Sequence, residues 1–460
     1  MIVTTGHIIG LIAAIAAFVC AGIYSKRRVK DAADFDKGGG KGSTLLVVGG
    51  ILGSLIGGQC TIGTAQLAYK FGMSGIWFSF GAAIGIVILG CGYGRKLRAS
   101  GNTTIVEIVR NEYGSKSELF GVFFSCFGNL ISVISNILSA AALIMAFIGL
   151  NFWVSCIISV VLMGIYVVFG GQIGAGLGGL VKTGLLIIMA LCCFISILSV
   201  THGIGPDTVL NIRISEAFER GIGTEISNGF SLIIGVISTQ TYCQAIWSAK
   251  SDKVAARASL IAAAITIPVG FAGVMVGSYL RGMNIAVENT AMVYPTYLLS
   301  NINPILGGIC IGALFITAVG GGGGITLGLS TTIIRNAFAR INKDFLTGKK
   351  HIVSMRLCMV GILAIAVGVA LSIPNTLIND LGFLSMGLRG TVLFIPMTLG
   401  LYFKGKFNPK SVTAGILVGP IGLVIFKFLA IPHVDPLATA MCLALIVSAI
   451  GMKTKKNELQ

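Results

Sequence analysis

The chain has 460 residues, 55% of them apolar and 11% charged, with a mean hydropathy of +0.93 and a formal net charge of +17. An ordinary soluble domain, about 25% charged, is excluded, and a polytopic helical membrane protein is indicated. Eleven cysteines (Cys20, Cys60, Cys91, Cys126, Cys156, Cys192, Cys193, Cys243, Cys310, Cys358 and Cys442) all fall in apolar stretches without metal-type spacing, so they are read as small packing residues.

Hydrophobic runs of spanning length, about 20 residues each, fall near 7–24, 44–69, 74–94, 119–149, 152–171, 180–200, 226–247, 257–280, 305–334, 352–373, 381–403, 411–431 and 434–452. These predict about thirteen transmembrane helices. The first run has no basic residue before it and SKRRVK after it, the pattern of an uncleaved segment with its N-terminus outside. In the second, glycine and polar residues crowd the middle at Gly57-Gly58-Gln59-Cys60-Thr61-Ile62-Gly63. Two readings of that cluster stand side by side. One is a broken helix whose loosened backbone groups need partners in hydrocarbon. The other is close helix packing through small residues. The connector 95–118, with TTIVEIVRNEYG, predicts an interfacial amphipathic helix.

With the N-terminus outside, 26 of the 33 Lys and Arg fall on the cytoplasmic side, in 25–43, 95–118, 250–257, 335–356, 404–410 and 453–456. Lys70, Arg213, Arg220, Arg281 and Lys427 make five on the outer side. This bias sets the orientation and places the C-terminus in the cytoplasm. The net charge is therefore a topology signal, and no nucleic-acid partner is implied. Two bases, Lys182 and Arg389, lie inside spans, whereas all sixteen acids sit in loops or at span ends. A charge at the bilayer centre costs about 2.5–3.5 kcal/mol or more, so both are candidate functional residues, with snorkelling to an interface as the bland alternative. His7, His202, His351 and His433 lie at membrane borders, and no metal site, phosphate loop or catalytic constellation is expected. Neither a cofactor nor an enzyme activity is predicted.

Several segments resemble the solute:sodium symporter family: SKRRVKDAADF after the first span, IGGQCTIGTAQLAYKFGMSGIW in the second, YVVFGG at 166–171, QAIWSAKSDKVAARASLI at 244–261 and PTYLLSNINPILGGICIGALFITA at 295–318. The resemblance implies a leucine-transporter-like core of two inverted five-helix repeats, here 44–200 and 226–403, with the helix 7–24 and the two helices within 411–452 outside it. It implies a solute site at mid-membrane between discontinuous helices. The first helix of the second repeat has its own weak middle, Gly235-Val236-Ile237-Ser238-Thr239-Gln240.

The same resemblance implies a sodium ion held by backbone carbonyls at Gly58, Thr61 and Thr317 and by a hydroxyl pair at positions 320 and 321. Those positions are Gly320 and Gly321, within VGGGGGIT, so two sodium ligands are missing. The family's Asp and Gln at the start of the fifth core helix fall at Gly179 and Lys182. An acid has gone and a cation has appeared. The expectation is that the Lys182 ammonium, which needs about three acceptors, occupies the vacant sodium position on the carbonyls of Gly58, Thr61 and Thr317, with the glycines making room.

The function expected is secondary transport of a small organic solute across the plasma membrane. Coupling is expected to be to protons through Lys182 or absent, as in exchange, because burial of an ammonium favours its neutral form. A conventional sodium symporter with a displaced site is the alternative, and a sensor core is a third reading. Arg389 with the one-face stripe Asn129, Ser132, Ser135, Asn136 and Ser139, and Gln59 and Gln240, are the candidate ligands of an anionic or zwitterionic solute. The topology makes a direct prediction: Asn457→Cys is labelled by an impermeant thiol reagent only from the cytoplasm, and Thr4→Cys only from outside. Labelling of both from one side makes the span count wrong by an odd number.

Overall fold

The computed structural model describes residues 3–26, 42–201, 214–338, 348–374, 376–429, 431, 434–450 and 452. The basic segment 27–41, most of the outer loop with His202 and Arg213, the inner segment 339–347, His433 and the tail 453–460 lie outside the described residues, as do the side chains of 167–177. Among the described residues seventeen α-helices follow one another: α1 (Thr5–Lys26), α2 (Thr44–Leu55), α3 (Thr64–Phe71), α4 (Ile76–Val87), α5 (Gly94–Ala99), α6 (Ile105–Tyr113), α7 (Ser115–Ile148), α8 (Phe152–Thr201), α9 (Ile222–Ile237), α10 (Gln240–Ser248), α11 (Asp252–Gly282), α12 (Val293–Asn301), α13 (Pro304–Ile333), α14 (Gly348–Ser372), α15 (Ile378–Tyr402), α16 (Pro409–Leu429) and α17 (Pro436–Ala449). Helices occupy all thirteen hydrophobic runs, and the amphipathic connector is α6, begun by a capping box between Thr104 and Glu107.

One difference concerns α8, which is helical through the two spans predicted at 152–171 and 180–200. Tyr166 and Lys182 would stand about 24 Å apart along a straight helix, at 1.5 Å per residue, which is more than their side chains bridge. Both nevertheless come within van der Waals range of a Cβ built on Gly320, at 3.8 and 3.9 Å. The helix bends sharply between them, so the two spans are separate limbs.

Two spans are broken at mid-length. In the first, α2 stops at Leu55, Ile56 leaves the helix at ψ 87°, and a wide π turn over Gln59–Gly63 leads into α3. In the second, α9 stops at Ile237 and α10 starts at Gln240. The ends of the two interrupted spans that the charge bias assigns to the cytoplasm are tied by backbone, Gly42 N donating to Ser248 O (2.7 Å) and Lys250 N to Gly42 O (3.1 Å).

α13 packs against the first break, and its glycines permit this. A Cβ on Gly321 would stand 2.9 Å from Gly57 Cα, one on Gly322 2.8 Å from Met163 Sδ and one on Gly324 2.8 Å from Ser54 Oγ. Glycine costs a helix about 0.8–1.0 kcal/mol per residue relative to alanine, so this helix is held by its neighbours rather than by its own propensity. Gly321→Ala is therefore expected to destabilise the purified chain by about 1–3 kcal/mol. Gly361→Ala, where nothing lies within 4 Å of the added Cβ, is expected to be neutral or stabilising by up to about 1 kcal/mol. Thermal unfolding in detergent checks both, and equal midpoints for the two variants would refute the close-packing account.

Candidate functional site

A break in a helix sets carbonyls free. The i+4 partner of Gly53 is Gly57, whose N–H turns to Leu55 O (2.9 Å), and that of Ile56 is Cys60, whose N–H turns to Gly57 O (3.2 Å). The carbonyls of Gly53 and Ile56 are thus left at the C-terminal end of α2, where the helix dipole is negative. Lys182, 1% exposed, fills that place: its Nζ donates to Gly53 O and to Ile56 O, each at 2.6 Å. The ammonium does not snorkel.

It also does not use the acceptors expected from the resemblance. Gly58 O receives Gly63 N (2.8 Å) in the π turn, and Thr317 lies within the continuous helix α13, its own hydroxyl bonded to Ala313 O (2.6 Å). Thr61 O accepts from Thr64 N, and Thr61 Oγ1 donates to Gly57 O (3.2 Å). The expected carbonyls are engaged by helical bonds, and Lys182 takes the earlier pair that has none. Gly320 flanks the lysine stem, whereas Gly321 faces Gly57 and Asn136, so only the first of the two glycines adjoins the ammonium's chain.

The second intramembrane base, Arg389 on α15, is fully buried. Its Nη1 donates to Asn129 Oδ1 (3.2 Å) and Thr239 Oγ1 (2.9 Å), its Nη2 to Ser132 Oγ (2.9 Å) and Ser385 Oγ (2.8 Å), and its Nε to Ser385 O (3.2 Å). All five N–H groups of the guanidinium have neutral oxygen acceptors. The stripe on α7 that was expected to line a solute site also links both breaks. Asn136 Oδ1 receives Gly58 N (3.0 Å), capping the restart of the first broken helix. Gln59 Nε2 donates to Ser132 Oγ (3.3 Å) and to Ser135 Oγ, and Ser139 lies so close to Gly58 that a Cβ there would overlap it. Thr239, at the second break, is held by Arg389.

Gln240 lies elsewhere. Its amide spans the start of α6, accepting Ile105 N and donating to Thr103 O, both at 2.9 Å. Both ends of the side chain are thus used on the connector at the start of α6, and it does not join the group around Arg389. Sequence reasoning missed Ser385 and Thr239, which are visible afterwards as a hydroxyl one turn before Arg389 and a hydroxyl in the second weak middle. It also missed Asn379, fully buried beside Gly63, with neither amide atom hydrogen-bonded among the described residues. Such a group calls for a ligand, a water or a movement.

A family model described as the sodium:solute symporter family matches residues 38–419. The chain belongs to that family. It is 22% identical over 377 residues to the high-affinity choline transporter 1 of Drosophila melanogaster, an alignment covering 79% of this chain and 61% of that relative. The corresponding protein of Torpedo marmorata is 23% identical over 404 residues, covering 81% and 67%. Among solved structures, a substrate-bound, outward-open Na+-coupled sialic acid symporter superposes with a TM-score of 0.77 at 18% identity, over 98% of both chains. The nucleobase-cation-symport-1 family transporter Mhp1, in a closed conformation with bromovinylhydantoin bound, gives 0.58 at 11% identity, covering 92% of this chain and 97% of that one.

This chain spans about three fifths of the length of the Drosophila relative, and it shares its helical fold with the sialic acid symporter structure. Its buried arginine is a structural tie between α7, α15 and the second break. Arg389→Lys keeps the charge but lacks the planar fork, and it is expected to lose at least about 2 kcal/mol of stability by leaving buried acceptors unpaired. Thermal unfolding of the purified variant checks this, and an unchanged midpoint would show the tie to be dispensable.

Proposed function

We propose that the chain moves a small organic anion or zwitterion across the plasma membrane by alternating access, without sodium coupling, the Lys182 ammonium standing in for a coupling cation. In this reading residues 44–200 and 226–403 are inverted repeats that rock about the two breaks, with the N-terminus outside and the C-terminus cytoplasmic. The observation that carries it is the bonding of Lys182 to the two carbonyls that the first break sets free. A protonated lysine there supplies the charge that the helix end favours. Release of its proton removes that charge and frees the carbonyls, which links the break to the proton supply.

The solute class follows from charge. Lys182 and Arg389 are buried with neutral acceptors, so a negative group on the solute is stabilised between them and a cation such as choline is not. Gln59, Asn129, Ser132, Asn136 and Arg389 remain the proposed solute ligands, to which we add the unpartnered amide of Asn379. Gln240 is withdrawn from the set.

A thermal-shift screen against carboxylates, amino acids and sugars identifies a solute for uptake into proteoliposomes. Uptake is expected to be equal in sodium and N-methylglucamine buffers, and an inward proton gradient to drive accumulation. Lys182→Ala is expected to stop transport. A steep rise with sodium would replace this reading with a displaced sodium site. Uptake that ignores both gradients would leave an exchanger.

A further inference from the structure

On the side that the charge bias assigns to the outside, a cavity of about 320 Å³ opens between α9, α15, α16 and α17. Four charged groups line it: Arg220, Asp380, Lys427 and Asp435. Their formal charges cancel, so the cavity is polar, bipolar and neutral. Arg220 Nη2 donates to Asp380 Oδ1 at 2.8 Å, while its Nη1 is buried without a partner among the described residues. Asp435 uses Oδ1 on Ala438 N (2.7 Å), and Lys427 makes no ion pair among the described residues.

A second, apolar groove of about 710 Å³ lies between α7, α15 and α16. Phe123, Phe127, Leu388, Val424, Ile425 and Phe428 line it, and Phe428 is 87% exposed on the flank of the molecule. Leu384 and Lys427 line both spaces, so the charged cavity and the groove meet at those two residues. The groove runs along α16 from Phe428 to Pro420, eight residues or about 12 Å at 1.5 Å per residue, away from the charged end and toward mid-membrane.

We propose that this pair of spaces is a binding site for a zwitterionic phospholipid with a primary ammonium, phosphatidylethanolamine in chemical class. The phosphodiester meets Lys427 on the side of the cavity lined by the Arg220 guanidinium, the ammonium meets Asp380 and Asp435, and one acyl chain lies along the groove. Charge-assisted bonds of both signs suit a zwitterion, and the neutral sum disfavours an anionic headgroup. The carboxylates accept hydrogen bonds that a quaternary ammonium cannot donate. A soluble zwitterion in the same cavity leaves the continuous apolar groove without a role, which is why the lipid is favoured. The site lies where α16 and α17 meet α15, so an occupied groove bears on the helix that carries Arg389.

The test uses the full chain, purified and delipidated in detergent, with native mass spectrometry of added lipids. Phosphatidylethanolamine is expected to bind more tightly than phosphatidylglycerol or phosphatidylcholine. Lys427→Ala is expected to weaken it about tenfold, the loss of one charge-assisted hydrogen bond, while Lys427→Arg retains it. Val424→Trp, which fills the groove without touching a charged residue, is expected to weaken binding as well and serves where Lys427→Ala does not fold. Equal binding by wild type and Val424→Trp overturns the site. So does a preference for phosphatidylglycerol. Binding of O-phosphoethanolamine alone as tightly as the whole lipid also overturns it and makes the cavity a vestibule for soluble zwitterions.

Discussion

An interrupted helix in hydrocarbon has to find new partners for the backbone groups it releases, and the centre of this molecule is arranged by that requirement. At the first break, the freed carbonyls of Gly53 and Ile56 are taken by an ammonium and the freed N–H of Gly58 by an amide. At the second, the hydroxyl of Thr239 accepts from a guanidinium and donates to Gly235 O (2.6 Å). Each break thus has a buried cation, and each cation comes from a different helix. Lys182 binds α8 to α2, and Arg389 binds α15 to α7 and to the second break. The energetic cost of burying these charges is offset locally, by oxygens the breaks themselves and the neighbouring serines provide.

The same arrangement makes α7 the common strut. Asn129 and Ser132 face the guanidinium, Ser132 and Ser135 face Gln59, and Asn136 and Ser139 face Gly58. A displacement of either break has to move, or be resisted by, one row of side chains on one helix. Ser132 Oγ accepts from both Arg389 and Gln59, and the Ser385 hydroxyl beside it donates to Gly128 O, so one hydroxyl oxygen joins the guanidinium to the first break.

The thirteen spans and both breaks were legible because hydrophobic run length and glycine clusters are local properties of the chain. The importance of Lys182 and Arg389 was legible for the same reason, since a base within an apolar run stands out by composition. Their partners were not. The acceptors of Lys182 are backbone carbonyls, which carry no residue signature, and which of them are free depends on where Ile56 leaves the helix. Gln240 was misplaced because proximity to a break in sequence says nothing about which side of it an amide faces. The sequence separates two runs at 152–171 and 180–200, but the backbone between them stays helical, because run length marks where apolar residues stop and not where the helix does.

The glycine run of α13 also bears on the order in which the molecule is made. The groups pressed against that run and its continuation belong to α2, the first break, α7, α8 and α10, through Ser54, Gly57, Asn136, Met163 and Thr241. All of them precede residue 320 in the chain. When α13 leaves the ribosome its partners have already been synthesised, and the span with the weakest claim to helicity is offered a slot lined on several sides. Its intrinsic frailty is tolerable because it comes late. A rearranged gene in which α13 preceded α2 would present five glycines to the bilayer with nothing yet to hold them.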